Sequence, residues 1–482
     1  MDFGIILKVL GLLLLIESAF MVPSLGISIY YGEYDTAAFI FSIAITAIAG
    51  LPGFIFFKSN KRESISHKEG FMIVGLGWIA ASAFGALPFR FSGVCNSFVD
   101  AYFESTSGFT TTGASIFKEV ENLPHGILLW RSFTHWLGGM GILVFTLALL
   151  PAMGASTIQI YRAESTGPSP DKLAPKIGQT AKLLYGVYVL VTVIMIATLL
   201  IAGMPLFDAI THTFGTVGTG GFSVRNSSIG SYQNPAYDWI IAFFMLFCAI
   251  NFSLHYEALH GNFKALIKDS EFRFYAGIVL CSITLIAINI YPLFDYNVME
   301  SIRQSTFQVA SVISTTGYAT VDYNTWPDFS KMILFLLMLF GGCAGSTGGG
   351  IKHIRILVLF KIIRREFYKL IHPHAVITIR VGGKPVSEDL LQNIVSFVLL
   401  YLIILILVSL LLLTQGLDMM SSISATVAAL SNIGPGFGLV GPASNYADLS
   451  GISKIILTAC MLIGRLEIYT LTILFVPTFW RQ

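Results

Sequence analysis

Four short stretches rich in threonine, serine and glycine hold the residue types best suited to chemistry: 110–115 (TTTGAS), 216–223 (TVGTGGFS), 314–320 (STTGYAT) and 431–438 (SNIGPGFG). Aligned on one glycine each, they select Gly113, Gly221, Gly317 and Gly434, separated by 108, 96 and 117 residues. Glycine adopts a positive φ without Cβ strain, so a glycine at such a turn lets successive carbonyl oxygens aim to one side. Four such strands around one axis would offer carbonyl oxygens in place of a cation's hydration shell.

Two further features could obstruct such a path. Residues 341–350 (GGCAGSTGGG) hold six glycines in ten positions, each costing a helix roughly 1 kcal/mol relative to alanine, between apolar or amphipathic flanks at 331–340 and 351–363. Small residues permit close helix packing. Packing motifs are spaced, however, and this run is continuous with Ser346 and Thr347 interleaved, which favours a flexible intramembrane loop below the strands (Gly345, Ser346, Thr347, Gly348, Gly349, Gly350). A phosphate-binding loop fails for want of a G-x-x-x-x-G-K-[ST] pattern and a preceding strand. Arg465 sits mid-span near the C-terminus, where a charge is costly. It reads either as a tie neutralised by carbonyls or a distant carboxylate, or as an electrostatic barrier that also donates hydrogen bonds to the glycine loop.

The elements that position these residues are membrane helices. Of 482 residues, 55% are hydrophobic and only 12% charged, with a mean hydropathy of +0.75. That is too little charge to coat a water-facing surface. Near-balanced charge, 29 basic against 27 acidic, removes a nucleic-acid-binding surface. Apolar stretches long enough to cross about 30 Å of hydrocarbon fall near 4–29, 36–57, 70–89, 127–151, 183–204, 237–259, 274–294, 331–363, 392–415 and 453–477. The expected fold is therefore an all-α polytopic membrane protein of ten transmembrane helices. The first stretch lacks a basic leader and a small-x-small cleavage site, and reads as a span rather than a signal peptide.

Each of the four strands follows a moderately apolar segment too short to span, giving a unit of span, re-entrant half-helix, extended strand, span, repeated about every hundred residues. The division is a two-helix hairpin at 1–60, then repeats at 61–160, 161–265, 266–375 (with the loop at 341–350) and 376–482. Half-helix C-termini aimed at the membrane centre favour a cation there. One acid opens each half-helix (Asp100, Asp208, Glu300, Asp418), as a helix-terminus partner or as an external ring of negative charge. Lysine and arginine concentrate in loops 58–69, 152–182 and 261–273 and in 351–391, Lys352, Arg355 and Lys361 among them, which places both termini in the cytoplasm. The five cysteines lack C-x-x-C spacing and read mostly as small buried hydrophobes. His372 and His374 read as solvated or partner-facing rather than metal-ligating.

The four strands, their spacing and the run GGCAGSTGGGIKHIR resemble the Trk/Ktr/HKT superfamily of potassium transporters, most closely the membrane subunits of TrkH/TrkG type in the bacterial Trk system. The resemblance implies ion-lining carbonyls at Thr111, Thr112, Thr219, Gly220, Thr315, Thr316, Asn432 and Ile433, beside glycines 113, 221, 317 and 434. It also implies a gate at Gly345–Gly350 with Arg465, and no cofactor in this chain, potassium being the substrate and rubidium a companion. Further implications are a homodimer in the bacterial inner membrane and a cytosolic nucleotide-binding ring of TrkA type docking on the basic cytoplasmic face. The fourth strand departs most, with Asn432-Ile433 where two others have Thr-Thr. A symporter coupled to sodium or protons would need intramembrane carboxylates, for which Glu467 and Glu257 are the candidates. An intramembrane enzyme would need a constellation such as Ser223 with His212 or His135, residues that strand geometry and packing explain better.

Overall fold

The structure is a computed structural model describing residues 2–56, 65–141 and 177–480, which are mostly helical. In chain order the main elements are α1 (Phe3–Phe20), α2 (Val22–Tyr31), α3 (Thr36–Phe56), α4 (His67–Gly85), α5 (Phe98–Phe109), α6 (His125–Gly139), α7 (Ile177–Ile201), α8 (Leu206–Val217), α9 (Pro235–Cys248), α10 (Phe252–Leu259), α11 (Ser270–Ile290), α12 (Val298–Ile313), α13 (Asp328–Leu339), α14 (His353–Ile371), a two-stranded hairpin of β1 (Arg380–Val381) and β2 (Lys384–Pro385), α15 (Glu388–Thr414), α16 (Met419–Ser431) and α17 (Gly451–Arg465). Among the described residues, six helical stretches are long and apolar enough to cross a membrane. They include α1 with α2, α3, α4, most of α7, α11 and α15, and make this an integral membrane protein.

Three of the ten expected spans are broken, each for a local reason. Stretch 237–259 is α9 and α10, bent by 101° where Asn251 begins a new helix by accepting the Ser253 N–H at 2.8 Å. Stretch 453–477 turns by 113° after Arg465, because Glu467 and Ile468 both have φ of 57°, outside the right-handed helical region. Stretch 331–363 is α13 and α14 with the glycine-rich segment between them. The second half of 127–151 and most of the basic loops 58–69 and 152–182 lie outside the described residues.

Four short helices, α5, α8, α12 and α16, fall at the positions expected for half-helices. Ser97, Asn297 and Asp418 cap α5, α12 and α16, each side chain accepting a first-turn N–H, which starts a helix that has no long apolar run to support it. Their residues are packed on nearly all sides, from Phe103 and Phe109 on α5 to Val427 on α16. At the periphery α1 and α3 touch backbone to backbone: a Cβ on Gly50 would lie 2.7 Å from the Gly11 carbonyl oxygen. This hairpin shares one apolar cluster with α4, α6 and the C-terminal Leu462, Leu466 and Leu471.

Candidate functional site

The four short helices end the same way. Thr111, Thr219, Thr315 and Asn432 have φ of 55°, 55°, 60° and 55°, and the glycine two residues on (Gly113, Gly221, Gly317, Gly434) has φ of 79°, 84°, 84° and 95°. The left-handed residue closes each helix by turning the following N–H groups back onto it, as at many helix C-termini. Thr112 donates to the Ser107 carbonyl at 2.8 Å, Gly220 to Gly215 at 2.7 Å, Thr316 to Ser311 at 2.9 Å and Ile433 to Ala428 at 2.9 Å. With the N–H groups directed inward to their own helix, the carbonyls point the other way. Those of Thr111, Thr112, Thr219, Gly220, Thr315, Thr316, Asn432 and Ile433 accept no hydrogen bond from any described residue, although these residues are buried. Buried carbonyls without partners are rare, because each costs free energy comparable to a lost hydrogen bond.

The glycines show where these carbonyls meet. A Cβ on Gly113 would overlap the carbonyl oxygen of Gly220, one on Gly221 that of Thr316, and one on Gly317 that of Ile433. A Cβ on Gly434 would lie 2.6 Å from the carbonyl oxygen of Thr112, which closes the circle. The four strands thus surround one centre in chain order, each glycine leaving room for the carbonyl of the residue that precedes the next glycine. All four glycines line one cavity of about 450 Å³.

Neighbouring strands are tied to each other outside this ring. His135 on α6 places Nδ1 2.8 Å from the Gly108 carbonyl and accepts the Phe222 N–H at Nε2 (3.1 Å). The Tyr318 hydroxyl donates to the Phe222 carbonyl (3.1 Å) and that of Tyr323 to Gly436 (3.1 Å). The fourth strand joins the first through Asn432 Nδ2 to Thr112 Oγ1 (2.9 Å) and the Tyr446 N–H to the Ser115 carbonyl (2.8 Å).

On the helix side of the ring lies the glycine segment. Gly349 donates its N–H to Thr315 Oγ1 at 2.7 Å, and a Cβ on Gly348 would stand 3.0 Å from the Ser314 carbonyl oxygen. Arg465 donates to the Thr347 carbonyl (2.7 Å), and also to the carbonyls of Gly139 (2.7 Å) and Gly138 on α6. Lys352 donates to the Gly348 carbonyl. Glu271 on α11 holds both ends of the segment, its Oε1 accepting the N–H groups of Ala344 (2.8 Å) and Ile354 (2.9 Å). The Gly345 carbonyl accepts from Phe252 at 3.0 Å.

The structure therefore brings all twelve sequence-selected strand residues to one centre, and the segment 345–350 with Arg465 beside it. Several readings change. Lys352, counted from sequence with the cytoplasmic loop charges, is 1% exposed, because its ammonium is turned back onto the glycine segment. The four opening acids do not form a free ring: Asp100 pairs with Lys454 (2.6 Å), Asp208 with Arg225 (3.1 Å) and Glu300 with Arg303 (2.6 Å). Asp418 caps α16, and its hydrogen bonds to Ser421 hold its carboxyl below the usual carboxylate range. Glu467 pairs with Arg355 on α14. His212 Nε2 does meet Ser223 Oγ at 3.0 Å, but that oxygen also accepts the Arg225 N–H, and His212 Nδ1 faces the Asp208 carbonyl, so the pair braces the second strand. Glu104, Arg131 and Glu271 escaped sequence reading. Glu104 and Arg131 carried a signal, a charge inside an otherwise apolar or small-residue segment, whereas Glu271 stands among Lys268, Asp269 and Arg273 and reads as a loop charge.

A family model described as TrkH, cation transport protein, matches residues 35–482. The chain belongs to the TrkH family. Relatives include the Trk system potassium uptake protein TrkH of Salmonella typhimurium, 42% identical with all of both chains covered. TrkG of Escherichia coli is 36% identical, covering 98% of this chain and 97% of TrkG. The crystal structure of the potassium transporter TrkH from Vibrio parahaemolyticus superposes with a TM-score of 0.89 at 35% identity, with both chains covered in full. TrkH-family members are transport proteins, and this chain is no enzyme.

Proposed function

We propose that this chain is the potassium-translocating subunit of a bacterial potassium uptake system. Its channel-like path is lined by the carbonyls of Thr111, Thr112, Thr219, Gly220, Thr315, Thr316, Asn432 and Ile433, around the glycines at 113, 221, 317 and 434. The observation that carries this reading is the closed ring of glycine-to-carbonyl approaches, with buried carbonyls that no described donor satisfies. Oxygen dipoles gathered in this way attract a dehydrated cation and repel an anion. The C-termini of α5, α8, α12 and α16 add partial negative charge at the same place. The potassium transported by the named relatives is the substrate this reading adopts.

The gate in this reading is the segment 345–350 with Arg465. It lies directly under the carbonyl ring, and a guanidinium opposes a cation most strongly where water is scarce. Four span–half-helix–strand–span units with the boundaries given above, ten spans in all, both termini in the cytoplasm of an inner-membrane protein, and a homodimer belong to the same proposal. The exposed Arg364, Arg380 and Lys384 around the β1–β2 hairpin offer a positive face to a TrkA-type ring.

Purified chain in liposomes loaded with potassium tests the reading. Rubidium uptake that exceeds sodium uptake is expected. Absence of cation flux from folded protein would overturn it, and strict dependence on a sodium or proton gradient would replace the channel-like path with a symporter.

A further inference from the structure

Three of the four strand junctions are closed by neutral groups, through the tyrosines 318, 323 and 446 and through backbone or amide hydrogen bonds. The junction between the first and second strands is different. Glu104, on α5 and 0% exposed, accepts Arg131 Nε at 2.6 Å. It also accepts Ser115 Oγ at 3.1 Å and the Ile116 N–H at 2.8 Å, both just beyond the first glycine. Arg131, on α6 and 3% exposed, donates Nη1 to the carbonyl of Ser223 at 2.8 Å and stacks its guanidinium 3.6 Å from the centre of the Phe222 ring. One buried ion pair therefore grips both strands, the first through Glu104 and the second through Arg131.

A buried guanidinium and carboxylate lock each other's geometry, because any displacement leaves a desolvated charge unpaired. Neutral tyrosine ties yield at lower cost. The first and second strands are thus held at a spacing fixed by charge, while the other junctions follow softer contacts. Discrimination between cations of different radius depends on how far carbonyls can close in on the ion or how their dipoles are held.

Resting on the proposed cation path, we infer that Glu104 and Arg131 are positioning residues that set the spacing of the carbonyl ring, and with it the preference for potassium over sodium. Neither side chain needs to touch the ion. The planar fork of arginine matters as much as its charge, since Nε serves Glu104 while Nη1 serves Ser223.

The test uses the full chain reconstituted in bilayers, with the potassium-to-sodium permeability ratio read from reversal potentials and the folded fraction from gel filtration. Arg131→Lys keeps the charge and removes the fork, and should lower the ratio about tenfold with the folded fraction retained. Ser115→Ala removes one hydrogen bond to Glu104 and should lower it less. Glu104→Gln breaks the pair and is expected to cost yield. A merely structural role would lower yield and leave the ratio of the surviving protein alone, so wild-type ratios in folded Arg131→Lys and Ser115→Ala would overturn the inference. If wild-type protein carries no cation current, the proposed function itself fails, an outcome distinct from selective wild type with unaltered variants.

Discussion

The carbonyl ring and the glycine segment beneath it are both built from glycine and exposed backbone polarity, yet they are stabilised in opposite ways. In the ring each strand is fixed locally. Its N–H groups return to the helix that precedes it within five residues, as with Thr112 to Ser107 and Ile433 to Ala428. In the segment almost every tie reaches a different element: Phe252 to Gly345, Glu271 to Ala344, Arg465 to Thr347 and Gly349 to Thr315. The carbonyls differ as well. Those of the ring lack donors among the described residues, whereas those of Thr347 and Gly348 are capped by Arg465 and Lys352. A locally closed strand keeps its shape when its surroundings move, whereas a segment held by separate bonds to several elements, about 1 kcal/mol each for neutral partners and about 1.5–3 kcal/mol for charged ones, is released when those elements shift. In the proposed cation path, rigidity for coordination and mobility for gating would thus come from the same residue type with different partners.

The largest effect expected from breaking this contrast is at the ring. Gly317→Ser places a Cβ on the Ile433 carbonyl at a φ of 84°, and an overlap with backbone on that scale costs about 3 kcal/mol. Potassium uptake should fall about a hundredfold or lose its preference over sodium. Gly186→Ala, at a glycine where an added Cβ would meet nothing within 4 Å beyond its own helix, is the control and should leave both unchanged.

Next comes Arg465→Gln, which removes the charge proposed as a barrier and should raise rubidium flux per folded molecule about tenfold without any partner. If Arg465 serves only as a tie, folded yield falls and flux does not rise. Arg465→Lys then separates charge from hydrogen bonding. It stays restrictive if charge is decisive, and leaks if the bonds to Thr347 and Gly139 hold the gate.

A smaller gain is expected from Glu271→Gln, whose weaker acceptor loosens both ends of the segment. Basal flux should rise roughly fivefold, the equivalent of about 1 kcal/mol, with unchanged selectivity. Lost selectivity in this variant would show that ring and segment are not mechanically separate.

Smallest is Asp418→Ala, which removes the cap of α16 and should lower stability by about 1 kcal/mol without altering selectivity. Because the folded state holds the Asp418 carboxyl below its ordinary range, its charge stabilises at neutral pH. That contribution disappears as pH falls through the depressed folded value. The gap in melting temperature between wild type and variant should therefore narrow in acid.

The ring was legible in the sequence because its cause is local. A positive φ beside a close-passing carbonyl demands glycine, and that demand recurs at Gly113, Gly221, Gly317 and Gly434. The left-handed turns at Thr111, Thr219, Thr315 and Asn432 were not legible, since three are β-branched residues that rarely adopt that conformation. The bracing charges were hidden for another reason. Glu104 and Arg131 are 27 residues apart, and Arg355 and Glu467 are 112 apart, so only the folded chain reveals them as pairs. Lys352 misled because a lysine in a basic stretch reads as surface, and only the return of the chain under the strands buries it. The apolar pattern located the six membrane-length helices of the described residues but missed the bends at Asn251 and Glu467, where hydropathy stays high while the backbone turns.

The central claim, that a cation is held by backbone carbonyls of four strands around one centre, is tested most directly by locating the ion. Crystals of the protein grown in rubidium and measured at the rubidium absorption edge should give an anomalous peak on the axis between the carbonyls of Thr112, Gly220, Thr316 and Ile433. A preparation that takes up rubidium in liposomes yet shows its peak elsewhere, with none among these oxygens, would contradict the account.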